Sequence, residues 1–310
     1  MEPPIPAVDP AAEAVDSLTQ RLRSARRSRQ NEKILQEKEV EQKVAAVPPP
    51  PPPSGAVRFF EEAGGLFGFG GRFFARFWRR PFEAKELVNQ MDEVGTKSFV
   101  LTGVVGFSIG IVLAMQSRGT LARFGAESFL PSMLALSVFK EIGPVLTSLV
   151  LAGRLGAGMG AELGSMRVTE QIDALEVAAL KPFNYLVVTR VLACVIMFPV
   201  MTMLTDLLAM LGGYLEAITA GGMDYRVFIA TAFDSMRFVD VISDTAKTSV
   251  FGFIVGIVSC YFGYNVRGGT REVGRAAMQA VVLSSLLILI ADVVIVRVTI
   301  MIFGDISNAA

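Results

Sequence analysis

The sequence predicts an all-α integral membrane protein with about five transmembrane helices. Three observations carry that prediction. The chain of 310 residues is 52% hydrophobic, with a mean hydropathy of +0.50. Its charged residues crowd the N-terminal third, leaving the remainder far more apolar than the average indicates. That remainder divides into five runs long enough to cross a hydrocarbon core, which takes roughly 20 apolar residues. The runs lack the two-residue alternation of a membrane barrel, so their backbone groups must be satisfied within helices.

Residues 1–57 read as a charged, proline-rich cytoplasmic extension that is largely disordered. Asp16 to Val47 is rich in Glu, Lys, Arg, Gln and Ala, all good helix formers. Leu18, Leu22, Ile34, Leu35, Val40 and Val44 give it only a patchy apolar face, which favours a tether with a transient helix over a partner-binding helix. Pro48 to Pro53 reads as a stiff polyproline linker. The first residues lack the apolar segment of a signal peptide, so insertion is expected to rely on the internal spans.

Residues 58–95 interleave aromatics with arginines, as in Arg72-Phe73-Phe74 and Arg76-Phe77-Trp78-Arg79-Arg80. The stretch is too charged to span and suits the headgroup boundary, so it predicts an interfacial amphipathic helix. Single-stranded nucleic acid also takes basic aromatic segments, but an apolar remainder argues for the membrane. Pro81 should break this helix before a second, polar one near Glu83 to Val94.

Residues 96–310 hold the five spans. They are expected at Phe99 to Met115, Phe129 to Ala152, Tyr185 to Tyr214, Val239 to Tyr264 and Ala276 to Phe303. Lys and Arg accumulate before the first span and in the loops after the second and fourth. By the positive-inside bias the N-terminus is cytoplasmic and the C-terminus outside, as an odd number of spans requires.

Chemistry is bounded by what is missing. The sequence has no His, the commonest general base and metal ligand. Cys194 and Cys260 lie in apolar runs and read as small buried hydrophobes. No nucleophile–base pair, metal set or GxxxxGK[ST] phosphate loop occurs, so neither catalysis nor ATP hydrolysis is expected of this chain, and a motor must come from another subunit.

The most informative segment is KEIGPVLTSLVLAGRLGAGMGAELGSMRVTEQIDALEVAALKP, Lys140 to Pro182. Its glycine-rich middle, Gly153 to Glu162, reads as cytoplasmic. Its end, Glu162 to Val177, reads as a short polar helix carrying Glu162, Arg167, Glu170, Asp173 and Glu176, with Thr169, Ile172, Asp173 and Glu176 on one face. Such a helix could press on a motor protein or be a plain surface helix. The run from Lys140 to Val177 closely resembles the MlaE-type permeases, membrane subunits of lipid-moving ABC transporters that work with MCE-domain proteins between the two membranes of diderm bacteria. The resemblance covers roughly Glu83 to the C-terminus; the extension 1–57 is foreign to it. It implies a homodimer in the inner membrane, two cytoplasmic ATPases that bind ATP and Mg, a ring of MCE subunits outside, phospholipid or a related lipid as cargo, and a coupling-helix role for Glu162 to Val177.

Ionisable groups inside the spans are the other signal. They cost about 2.5–3.5 kcal/mol each at the centre of a bilayer, so they should face protein or a wet cavity. Lys140-Glu141 falls near the middle of span two, and Lys247 and Asp292 lie roughly 12 and 16 Å below the outer surface, near enough to touch. These four are the candidate lining of a lipid cavity, with a structural ion pair between spans four and five as the competing reading. Asp206 and Arg297 are weaker candidates. Two other functions stay open: a proton-driven carrier with Glu141, Lys247 and Asp292 as relay, and a scaffold that anchors MCE proteins.

Overall fold

A computed structural model describes residues 55–77, 84–234, 236 and 238–307. The expected helix over 16–47, the proline run, Trp78-Arg79-Arg80 and the break at Pro81 lie outside the described residues. The chain divides into two units, Met1–Phe60 and Glu61–Ala310, and every candidate membrane span belongs to the second.

Among the described residues all regular structure is helical. The order is α1 (Gly55–Phe77), α2 (Ala84–Val94), α3 (Phe99–Arg123), α4 (Leu130–Ser137), α5 (Gly143–Val168), α6 (Gln171–Val177), α7 (Thr189–Gly221), α8 (Tyr225–Asp234), α9 (Phe238–Tyr264) and α10 (Thr270–Ser307). Wide π-helical turns join α4 to α5 at Val138–Ile142 and lead into α7 at Phe183–Val188. Five stretches are long and apolar enough to cross a membrane: Ala84–Arg123, Glu127–Val168, Phe183–Gly221, Asp244–Tyr264 and Thr270–Met301.

Small residues let the spans approach closely, the means by which helices associate where lipid removes the hydrophobic drive. A side chain on Gly110 of α3 would run into the Ala209 backbone of α7, and one on Gly252 of α9 into the Cys194 carbonyl of α7. The same logic corrects the expected end of span two. Gly153 to Glu162 is not a linker: α5 runs unbroken to Val168. Gly156, Gly160 and Gly164 recur every fourth residue on one face and admit Val281, Ala277 and Val273 of α10 at contact distance. Glycine weakens an isolated helix, but here it is what the neighbouring span packs into. Cys194 and Cys260 are free and fully buried.

The amphipathic helix α1 seats one edge on the bundle. Phe69 and Phe73 are buried, with Phe69 edge-on to Phe183 and Tyr261 and Phe73 edge-on to Phe253. Phe67 stays exposed, Phe74 is largely exposed with its ring 5.4 Å from that of Phe253, and the Arg76 guanidinium lies 4.9 Å from the Phe183 ring centre. One helix was not anticipated: α8, between spans three and four. Its Phe228 and Ala232, one turn apart, are buried against α4, and the Ser132 hydroxyl donates to the Thr231 carbonyl at 2.8 Å.

Candidate functional site

The buried charge cluster begins with a proline. Pro144 is the second residue of α5 and has no N–H to give the carbonyl four residues back, which is that of Lys140. The helix widens to a π turn over Val138–Ile142. The released Lys140 carbonyl accepts a hydrogen bond from Lys247 Nζ at 2.7 Å. The same ammonium donates to Glu141 Oε2 at 3.1 Å and lies 3.2 Å from Asp292 Oδ1. The Asp292 contact meets ion-pair distance but not hydrogen-bond geometry, and that oxygen has no other partner. Spans two, four and five therefore meet on one ammonium. Lys247 is buried, Asp292 mostly so, and Glu141 half exposed.

Glu141, Asp292 and Arg297 line a cavity of about 380 Å³ whose other walls are Val293, Val296 and Ile300. The cavity is apolar apart from those three charged side chains. Lys140 enters through its backbone; its side chain is exposed and does not line this cavity. Arg297, a weaker candidate from sequence, does line it. The proline was the overlooked signal, since Lys140-Glu141-Ile142-Gly143-Pro144 is written in the sequence.

The cavity opens on the barest face of the molecule. Only 11% of the apolar window of span five is buried, against 33–61% in the other spans. Ile290, Val293, Val294, Val298 and Met301 are all exposed along α10.

The expected coupling helix over Glu162 to Val177 is two helices. α5 ends at Val168, Glu170 takes a left-handed conformation (φ 60°), and α6 starts at Gln171. The chain turns there because Ile172 must reach the core, where it is fully buried beside Phe183 and Leu163. Ile172 therefore leaves the face it was expected to share with Asp173 and Glu176, which are exposed together with Glu170. Arg167 Nη1 bridges the turn to Asp173 Oδ1 at 2.6 Å. Glu162 instead points to Arg190 at the start of span three, at 2.8 Å from Nη2; Arg190 is 3% exposed and also donates to the Leu186 carbonyl at 3.0 Å. Arg154 of α5 reaches back to α2, donating to the Glu93 carbonyl at 3.2 Å and to the Ser98 hydroxyl. Tyr185 donates to Glu86 Oε2 at 3.2 Å from the other side. The helix α2 is thus tied to spans two and three.

The model of a protein family described as Permease MlaE matches residues 87–298. A probable ABC transporter permease of Rickettsia felis is 40% identical over 70% of this chain and 84% of its own length. The intermembrane phospholipid transport system permease MlaE of Haemophilus influenzae is 32% identical over 68% of this chain and 82% of its own. The chloroplastic TRIGALACTOSYLDIACYLGLYCEROL 1 protein of Arabidopsis thaliana is 32% identical over 68% of this chain and 60% of its own. The matched region takes in the π turn, the Lys247 cluster, the broken connection after span two and nearly all of span five, and on this extent of agreement the chain belongs to the MlaE permease family of multi-pass ABC transporter subunits.

Proposed function

We propose that this chain moves phospholipid, or a closely related lipid, between the inner membrane and an MCE-domain or other periplasmic carrier, and so maintains the lipid asymmetry of the outer membrane. It acts as a homodimer in the inner membrane, with its N-terminus in the cytoplasm and its C-terminus in the periplasm. ATP and Mg are bound by a separate cytoplasmic ATPase dimer, whose closure reaches the permease through α6 and the end of α5. A ring of six MCE subunits receives or delivers the lipid outside.

The observation that carries this reading is the Lys247 cluster beside an apolar cavity on the barely covered face of span five. A lone protomer would leave that cavity open to bilayer. A second copy set against α10 would close it into a chamber sized for acyl chains, with charge from both copies. The Haemophilus relative is named for intermembrane phospholipid transport, and the sequence carries no phosphate-binding loop of its own.

The test is purification of the tagged complex from its native membrane, followed by mass spectrometry of bound lipid and ATP-driven transfer of labelled phospholipid from vesicles. We expect a stoichiometric phospholipid, a co-purifying ATPase and ATP-dependent transfer. Transfer driven by a proton gradient without an ATPase would replace this reading with a secondary carrier. MCE binding without transfer would replace it with a scaffold.

A further inference from the structure

Asp206 lies inside span three and has no part in the cavity. It is 1% exposed, and neither carboxylate oxygen has a hydrogen-bond partner. The neighbouring buried hydroxyls on α7 are satisfied: Thr202 and Thr205 donate to the carbonyls of Phe198 and Met201 one turn back, and Arg190 is paired with Glu162 through Nη2 although its Nε has no partner. α3 packs on α7 through Gly103, Gly106 and Gly110, which meet Leu208, Thr205 and Ala209, and it has no ionisable residue along that stretch. The start of α5 contributes Gly143, where Oδ1 fills the position a side chain would take. α9 contributes Lys247, the cation whose field reaches it. Other charges nearby are Lys140 and Glu141 in the turn just before Gly143, Asp292 against Lys247, and Asp244 one turn before Lys247 on α9.

Lys247 is already engaged. Its ammonium has three hydrogens, and its neighbours are the Lys140 carbonyl, Glu141 and Asp292. Glu141 and Asp292 already share that one ammonium. An ionised Asp206 would add a further negative charge to the protein interior, with no hydrogen-bond donor on either of its oxygens. An ionised group buried without a partner is far more costly than the neutral acid.

We infer that Asp206 is a proton-binding site: in this conformation it holds a proton as a neutral carboxylic acid, wedged against Gly143 behind the π turn. The neutral acid leaves Lys247 to Glu141 and Asp292. Were Asp206 ionised, its charge would act on the same ammonium that Glu141 and Asp292 hold. The inference stands on packing and holds whatever the cargo.

Infrared spectroscopy of the purified full-length protein in lipid tests it directly. At neutral pH a protonated carboxylic acid shows a carbonyl stretch above the amide band. We expect that band in the wild type, a shift when aspartate is labelled with ¹³C at its carboxyl, and its loss in Asp206→Asn. The amide is close in shape to the neutral acid, so Asp206→Asn should accumulate and melt like the wild type. Absence of the band in the wild type, or its survival in Asp206→Asn, overturns the inference. So does failure of Asp206→Asn to accumulate, which would mean that an ionised carboxylate with an unseen donor is needed. None of these readouts depends on lipid transfer, so a failed transport proposal and a failed proton site are told apart.

Discussion

At Lys247 one ammonium is shared by a carbonyl and two carboxylates, and that sharing sets the cost of each substitution. Lys247→Ala strips the counter-charge from two acids at once. Removing one partner of a buried pair typically costs about 3–5 kcal/mol, and we expect membrane abundance and melting temperature to fall accordingly. Asp292→Asn is milder, because Glu141 and the Lys140 carbonyl still hold the lysine; about 1 kcal/mol is expected, near the ordinary worth of a hydrogen bond. Exchanging the two residues, Lys247→Asp with Asp292→Lys, should recover little, since the new aspartate would sit against Glu141. Thermal melts of the three variants in detergent check the order, and equal losses for the two single variants would contradict the sharing. At this scale the sequence was legible in part. The cost of charge in lipid singled out Lys140, Glu141, Lys247 and Asp292, and helical rise placed Lys247 and Asp292 within reach of one another. Helical rise could not say that Lys140 contributes its carbonyl rather than its amine, because that depends on a proline four residues further on.

The elements were legible wherever one signal dominated and obscure where two competed. Span positions followed from apolar length alone. The glycine-rich run after Ala152 reads as linker on propensity, and only the presence of α10 against it explains a helix to Val168. The helix expected over Glu162 to Val177 failed for a related reason: burying Ile172 outweighs continuing one helix through Thr169 and Glu170. Two predictions belong here. Pro144→Ala restores an N–H to the Lys140 carbonyl and lets the π turn close. Glu141 would then rotate away from Lys247. Proline within a helix costs roughly 3 kcal/mol relative to alanine, so we expect the variant to be as stable as the wild type or more so, yet to transfer lipid at least tenfold more slowly. Equal transfer rates would show that the wide turn has no part in transport. On α6, Glu170→Lys with Asp173→Lys reverses the exposed acidic surface and severs the Arg167 bridge. ATPase recovered with the tagged permease should drop severalfold, and undiminished recovery would place the contact elsewhere.

Across the whole molecule, four spans build an interior and the fifth contributes to it with one side only. The glycine face of α5 packs on that side, and Asp292 adds a polar tie to Lys247. Between Met278 and Met301 the outer side of α10 exposes a run of apolar side chains beside a half-built cavity. Lipid alone could cover such a face, since tails are as apolar as leucine. Lipid contact would not explain why ionisable side chains, at their cost within a bilayer, border that same face. A second copy would, by sealing Glu141, Asp292 and Arg297 into an enclosed chamber. The two coverings differ in what a cysteine on the face would meet. With Cys194 and Cys260 replaced by alanine, a lone cysteine scanned through Ile290, Val294 and Val298 should form a disulfide between copies at one or two of these positions, because bridging needs Cα atoms within about 7 Å. Gel mobility after mild oxidation in native membranes reads the result. Control cysteines at Val200 and Leu207, exposed on α7, should stay monomeric. Cross-links at α7 with none along α10 would move the dimer interface to another face and leave the cavity open to the bilayer.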